Sequence, residues 1–266
     1  MYSAIGSRHE RNCVAVCNPS GYGQSTSGLL QDSRVAYFFD PESVRKSLTQ
    51  VGVCLVNGVL DQHRINELRS AFPSDAHGVR NLLDRRIIRE LACSESVREL
   101  AEAVLGEHCF AVRGIFFDKP SEANWKVPFH QDVTIEVQSR REASGFENWT
   151  MKEGVQHVQP PTEILQRMVS VWLHLDDSRS DNGPLRIFRG SHKNGRLSDG
   201  QIEKIVRAET PIECRVPVGG ALMMMSLVVH GSSSALNPSH RRVIHIDYAA
   251  EDLPHGLEWH QRVYPA

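Results

Sequence analysis

The most informative feature of the chain is His130-Gln131-Asp132, followed much later by His230 and then Arg241. A His and an Asp two residues apart on an extended strand project to one face, because strand side chains alternate with period two. A second His from a neighbouring strand completes a set of two imidazoles and one carboxylate. Such a set covers one face of a metal ion and leaves three adjacent positions open, which suits non-haem Fe(II) oxygenases. Two open positions accept a chelating 2-oxo acid and the third accepts O2. The far carboxylate of that co-substrate then needs a fixed cation. Arginine meets the need, since its planar fork bonds a carboxylate through two N–H groups and keeps its charge. Alternation turns the adjacent Arg242 to the other face.

The His-x-Asp pattern is short, and the chain holds it three times, also as His174-Leu175-Asp176 and His245-Ile246-Asp247. The last has only His255 and His260 after it, on the final tail. The middle one can draw on His230. Its other reading is a His174 packed inside a barrel, with Asp176 opening the turn Asp176-Asp177-Ser178. A motif needs its structural context, so His130 and Asp132 are favoured and His174 and Asp176 stay open.

The elements that must position these groups change character along the chain. Residues 1–35 are rich in Ser, Gly, Asn and Gln and are expected to form a flexible arm. Asp40-Pro41 opens a helix with an N-cap and a proline at N1. Val53–Val56 reads as a short strand. Asp61 caps a helix carrying Ile65, Leu68 and Phe72. A third helix is expected from Val79 to Ala92, and Ser94 caps a fourth that Gly106 ends. Strand patterns then take over at Phe110–Phe117, Met168–Leu175, Leu185–Phe188, Ile212–Val216, Ala221–Val229 and Arg242–Tyr248. Helices first and strands after predict a mainly β, α+β fold whose strands close into a barrel or a two-sheet sandwich. The polar stretch from Thr134 to Gln166 reads as a lid or binding loop.

Composition sets the bounds. At 266 residues, 40% hydrophobic and 23% charged, with a formal net charge of −2, the chain is an ordinary globular one. Nothing in that balance points to nucleic acid or a membrane surface as partner. The first 35 residues lack an apolar run of signal-peptide length and no segment is long enough to span a bilayer, so a cytoplasmic protein is expected. The six cysteines (Cys13, Cys17, Cys54, Cys93, Cys109, Cys214) are scattered and read as reduced thiols. Cys13 and Cys17 have no further Cys or His pair nearby to complete a zinc site.

Three stretches resemble the phytanoyl-CoA dioxygenase family. They are Phe117 to Asp132 (FDKPSEANWKVPFHQD), Asp181 to His192 (DNGPLRIFRGSH) and His230 to Arg241 (HGSSSALNPSHR). The resemblance implies a double-stranded β-helix of the jelly-roll, cupin-like kind, with Fe(II), 2-oxoglutarate and O2. It assigns the metal to His130, Asp132 and His230, and the co-substrate's distal carboxylate to Arg241. Ser232 falls where the family has a hydroxyl near that carboxylate, and alternation independently puts it on the face of His230. The expected organisation is a single oxygenase domain over residues 36–266, with a helical layer (40–106), a β-helix core (107–250) and the lid-like insertion (134–166). The expected reaction is hydroxylation of a small molecule with release of succinate and CO2. Halogenating relatives carry Ala or Gly where Asp132 stands, so Asp132 favours hydroxylation or another oxidation over halogenation. The chain departs from the family pattern at Phe129, where Trp is common, and at Arg189, where Pro is common.

Two other function classes stay open at this stage. One is a hydrolase or isomerase on a cupin-like barrel, using Zn(II) or Mn(II) and a bound water. The other is a non-catalytic binding module on the same fold. Arg241 argues against the first and the complete ligand set against the second. Weaker readings attach to Arg113 and Lys119, more readily surface or salt-bridged side chains than ligand contacts, and to Arg80, placed to reach into the site from the helical layer. Gln131 is expected to point away from the ligands. Trp125 and Trp149 read as packing, Met223 to Met225 as core filling, His192 as a loop anchor and Arg189 as solvated.

Overall fold

The computed structural model describes residues 40–264 except Ser74. The expected arm at residues 1–35, with Cys13 and Cys17, lies outside the described residues.

The described chain opens with helix α1 (Pro41–Val51), whose first turn is capped by Asp40 accepting from the amides of Glu42 and Ser43. Gly52 ends it at φ 92°, a left-handed conformation that costs glycine little. A Cβ there would lie 2.5 Å from Val228 and 2.6 Å from His192, so the turn is also crowded. Strand β1 (Val53–Val56) follows, then α2 (Gln62–Ser70), capped by Asp61 accepting from the Arg64 amide. Next come β2 (Gly78–Val79), α3 (Arg86–Ala92), α4 (Glu95–Leu105) and the long β3 (Phe110–Phe117). Then follow β4 (Val127–His130), β5 (Ile135–Val137), β6 (Glu147–Lys152), β7 (Val155–Gln159), the short α5 (Thr162–Leu165), β8 (Val169–His174) and β9 (Leu185–Ile187). The last elements are α6 (Asp199–Ala208), β10 (Ile212–Cys214), β11 (Ala221–Met225), β12 (His230–Ser232) and β13 (Val243–Ala249).

The strands form three antiparallel sheets. A six-stranded sheet has the order β1-β11-β8-β13-β3-β2, a four-stranded one β10-β9-β12-β4, and a three-stranded one β5-β7-β6. Alternation sorts the six-stranded sheet into two buried faces. Cys54, Val56, Val171, Leu173, Met223 and Ile244 share a core with the helix residues Leu48, Leu68, Leu91 and Leu100. Val53, Leu55, Trp172, Leu222, Met224 and Val243 meet Leu185, Ile187, Ile212 and Cys214 of the four-stranded sheet. Two sheets thus pack face to face, with helices behind the larger one. This is the mainly β jelly-roll with N-terminal helices that the sequence implied.

Several expected elements take another form. The third helix is not continuous from Val79 to Ala92: β2 comes first, Asn81 is left-handed at φ 55°, and only Arg86–Ala92 is α-helical. The long strand expected over Ala221–Val229 stops at Met225 and β12 starts at His230. The stretch from Thr134 to Gln166 contains β5, β6, β7 and α5. Glu153 and Gly154, both at positive φ, turn β6 into β7; that is the twist a two-residue hairpin favours. Helix α6 had no counterpart in the sequence reading, although Ser198 and Gln201 form a reciprocal capping box. Cys93, Cys109 and Cys214 are free thiols as expected, whereas Cys54 is disulfide-bonded. Among the described residues no helix is long and apolar enough to cross a membrane.

Candidate active site

Strands β12 and β4 pair antiparallel with His230 directly opposite His130. Their rings lie 4.4 Å apart, centroid to centroid. Just past the end of β4 the Asp132 amide donates to the Ser226 carbonyl. The Asp132 carboxylate therefore faces both rings, at 3.9 Å from His130 Nε2 and 3.8 Å from His230 Nε2. One ligand atom from each of the three residues lies within 4.8 Å of the others.

Each imidazole is held in the form a metal needs. Nδ1 of His130 lies 2.8 Å from the Pro128 carbonyl, and Nδ1 of His230 lies 2.9 Å from the Val228 carbonyl. A carbonyl only accepts, so Nδ1 carries the proton and the Nε2 lone pair points at the gap. Burial, against the pull of Asp132, pushes His230 down to about 4, which keeps it neutral at neutral pH. Desolvation raises the Asp132 carboxyl, but His230 and Arg113 outweigh it and hold it below the usual carboxylate range. Two imidazoles with Nε2 turned inward and one carboxylate facing a single gap make a donor set that fits Fe(II).

The strands around the set are fixed by two features. Gln131 points away from it, as alternation requires. It donates to the carbonyls of Leu227 and Gly195 at 2.7 and 2.9 Å and accepts from the Leu197 amide at 2.8 Å. Gly231 lies against β4, where a Cβ would come within 2.8 Å of the Val127 carbonyl. Only a glycine lets the two strands approach so closely.

A second cluster lies on the same cavity. Arg241 is 6% exposed, and its Nε has no hydrogen-bond partner among the described residues. Burial pulls its guanidinium down to about 10 even with Asp118 near. Asp118 itself accepts from the Arg241 amide at 3.0 Å and pairs with His240. Lys119, expected as a surface or salt-bridged side chain, is 2% exposed. Its ammonium donates to Ser232 Oγ at 2.7 Å and to the Ser233 carbonyl at 3.2 Å. Two buried cations and a hydroxyl thus line the same cavity, an arrangement that calls for an anion.

The other two His-x-Asp motifs have structural roles. Asp176 is taken by Arg242 and Arg69, at 2.7 and 2.8 Å, and His174 points into the barrel. Asp247 accepts from Arg113 Nε at 2.5 Å, from Ser170 Oγ at 2.5 Å and pairs with His245 Nε2 at 2.7 Å. All four are buried. Burial raises the Asp247 carboxyl, but Arg113 and His245 hold it well below the carboxylate range. Its contribution to stability is complete above the unfolded carboxylate value of about 3.9 and is lost as pH falls below it. Asp247→Asn strands the Arg113 charge, so unfolding in urea at neutral pH is expected to come about 3–5 kcal/mol more easily.

The cavity measures about 430 Å³ and is lined by the His130, Asp132 and His230 set, by Lys119, Ser232 and Arg241, and by apolar walls that include Phe117, Trp172 and Val243. Trp172 stacks on His245 at 4.4 Å and turns its edge to His230 at 6.0 Å. Sequence reading passed over Trp172 and weighed His245 only as a member of the third His-x-Asp motif; their inward positions on β8 and β13 follow from the same alternation that placed His230. Trp125 lines the cavity with the Lys119 ammonium 5.7 Å above its ring. Trp149 instead joins the packing of the three-stranded sheet, and Arg189 is exposed as expected.

The family model for phytanoyl-CoA dioxygenase matches residues 74–243, more than half of the chain. The chain belongs to the phytanoyl-CoA dioxygenase family. This family member is accordingly an oxygenase that depends on Fe(II) and 2-oxoglutarate and consumes O2. Solved structures share the fold at low identity. AviO1 from Streptomyces viridochromogenes Tue57 is 21% identical with a TM-score of 0.58, over 81% of this chain and 98% of that one. SnoN, a non-haem α-ketoglutarate-dependent epimerase from nogalamycin biosynthesis, is 18% identical with a TM-score of 0.58, over 85% and 95%. HygX from Streptomyces hygroscopicus, solved with nickel and 2-oxoglutarate, is 17% identical with a TM-score of 0.55, over 76% and 83%. No curated protein sequence matches the chain.

Proposed function

We propose that His130, Asp132 and His230 hold the Fe(II), that Arg241, Ser232 and Lys119 hold the distal carboxylate of 2-oxoglutarate, and that the enzyme hydroxylates a small molecule. The observation that carries this reading is the pair of buried cations on the same cavity as the metal-binding set. A hydrolase or isomerase using a bound water has no use for them, and a non-catalytic module has no use for two correctly protonated imidazoles.

Bound iron supplies the activation of O2; the chain supplies position and exclusion of water. The Nδ1–H bonds of His130 and His230 keep their Nε2 atoms inward. Gln131 holds the intervening backbone. Lys119 and Arg241 fix one end of the co-substrate, which orients its 2-oxo acid end. Trp172, Leu185 and Val243 keep the cavity wall dry. In balance, a substrate C–H, 2-oxoglutarate and O2 give C–OH, succinate and CO2. Epimerisation would instead need a hydrogen donor facing the substrate, usually a phenol or a thiol. Among the described residues lining the cavity there is neither Tyr nor Cys, which favours hydroxyl transfer. Mass spectrometry of the product checks this: gain of one oxygen atom supports hydroxylation, and a product of unchanged mass with succinate release contradicts it. We also place this chemistry in a single domain from residue 36 to 266, with the β5-β7-β6 insertion as its lid, a soluble cytoplasmic enzyme.

Lys119 makes the co-substrate step sensitive to pH. Burial, with the Arg241 charge beside it, pulls its ammonium down to about 8. Below that pH it is charged and attracts the carboxylate; above it the attraction is lost. The 2-oxoglutarate Kd is therefore expected to be lowest below pH 8 and to rise as pH passes through it. Lys119→Met should bind more weakly and show a flat profile over the same range. A wild-type Kd indifferent to pH around this value would remove Lys119 from the anion site.

A further inference from the structure

Five cations line the cavity, Arg80, Arg113, Lys119, Lys152 and Arg241, against one carboxylate, Asp132. Three of them are accounted for. Arg113 is neutralised by Asp247. Lys119 and Arg241 face the distal carboxylate of the co-substrate in the reading above. Arg80 and Lys152 remain, and they form a separate pole. Both act electrostatically on Glu136 and His157, beyond Arg113, and neither is among the charges that move Lys119 or Arg241.

The two cations come from different layers. Arg80 directly follows β2 beside the helices, and Lys152 ends β6 at the tip of the inserted hairpin. The tip is tied to Arg80 through Glu153, whose carboxylate lies 3.5 Å from Arg80 Nε. Glu153 is 60% exposed, and an ion pair that open to water contributes little. A better-placed anion inside the cavity can therefore compete for Arg80. Glu136 does not meet the need: both of its oxygens lack a hydrogen-bond partner, and burial raises its carboxyl to about 7. Apolar side chains also line the cavity, among them Ile115, Phe117, Trp125, Val127 and Leu185.

We propose that the substrate is a compact molecule with an apolar body and one anionic group, a carboxylate or phosphate, seated between Arg80 and Lys152. This rests on the oxygenase reading, since it assigns the Lys119–Arg241 pole to the co-substrate. The anion draws the hairpin tip and the β2 segment onto one ligand, so substrate recognition and closure of the mouth are one event.

The test uses isotope-labelled full-length protein loaded with Co(II), which binds without turnover, and 2-oxoglutarate. Inorganic phosphate is titrated while the Arg80 Nε–H resonance is followed, in the wild type and in Lys152→Gln. The expected result is a saturable shift in the wild type and an affinity weaker by roughly tenfold in Lys152→Gln. No saturable shift, or one unchanged in Lys152→Gln, overturns the proposal. A second arm measures succinate release by the Fe(II) enzyme with a set of apolar acids, each paired with its methyl amide or its phosphonate. Stimulation confined to the acids or to the phosphonates tells carboxylate from phosphate, and equal stimulation by the amides overturns the proposal. Calorimetry of 2-oxoglutarate on the Co(II) sample separates the failures. If 2-oxoglutarate does not bind, the oxygenase reading fails and takes this inference with it. If it binds and phosphate does not, this inference alone fails.

Discussion

Arg241→Met is expected to raise the 2-oxoglutarate Kd by roughly two to three orders of magnitude while leaving Fe(II) binding close to wild type. Truncating one side of a buried, hydrogen-bonded charge pair costs about 2–5 kcal/mol, much of it from leaving the other charge unpaired. Arg241 is nearly fully buried with a free Nε, so the full penalty applies on binding. Methionine keeps much of the side-chain volume and removes the charge. Lys119 stays behind as a second cation, so binding weakens without vanishing. Calorimetry with the Fe(II)-loaded protein under anaerobic conditions reads both quantities. A Kd within threefold of wild type would show that the distal carboxylate lies elsewhere in the cavity.

Asp132→Ala is expected to have the larger effect on the metal. Changes to groups that only support a ligand already lower metal affinity by about 10–100-fold, and Asp132 provides the only carboxylate of the cluster. Its loss should lower Fe(II) affinity by at least the top of that range and end succinate formation. The barrel itself should survive, because Asp132 is not part of the core and its side chain is 26% exposed. Circular dichroism and the thermal midpoint check the fold, and competition with a chelator reads the metal affinity. Retained Fe(II) affinity in Asp132→Ala would move attention to His174 and Asp176, although Arg242 and Arg69 already occupy that aspartate.

Much of this site was legible in the sequence because it depends on strand geometry. Alternation placed His130 and Asp132 on one face, and His230 with Ser232 on the facing strand. It also separated Arg241 from Arg242, which the structure sends to the cavity and to Asp176 respectively. The helical caps at Asp40 and Asp61 were equally local signals. What escaped was long-range or unpatterned. Lys119 sits in a turn between β3 and β4, and only the register that brings Ser232 beside it reveals its burial. Asp247 and Arg113 pair because β13 and β3 lie side by side, which no window along the chain contains. Strand β6 is mostly solvated on both faces, so it lacks the alternation by which strands are recognised. The third helix was overextended because a left-handed Asn81 carries no apolar signature.

Iron and 2-oxoglutarate are proposed to meet at His130, Asp132 and His230, with Arg241 at the far end. The most direct test is an anaerobic titration of the purified protein with Fe(II) and then 2-oxoglutarate, following the weak visible charge-transfer band of the chelate. A saturable band is expected in the wild type, absent in Asp132→Ala and shifted to much higher co-substrate concentration in Arg241→Met. Wild-type protein that binds Fe(II) yet shows no band at any 2-oxoglutarate concentration would contradict it.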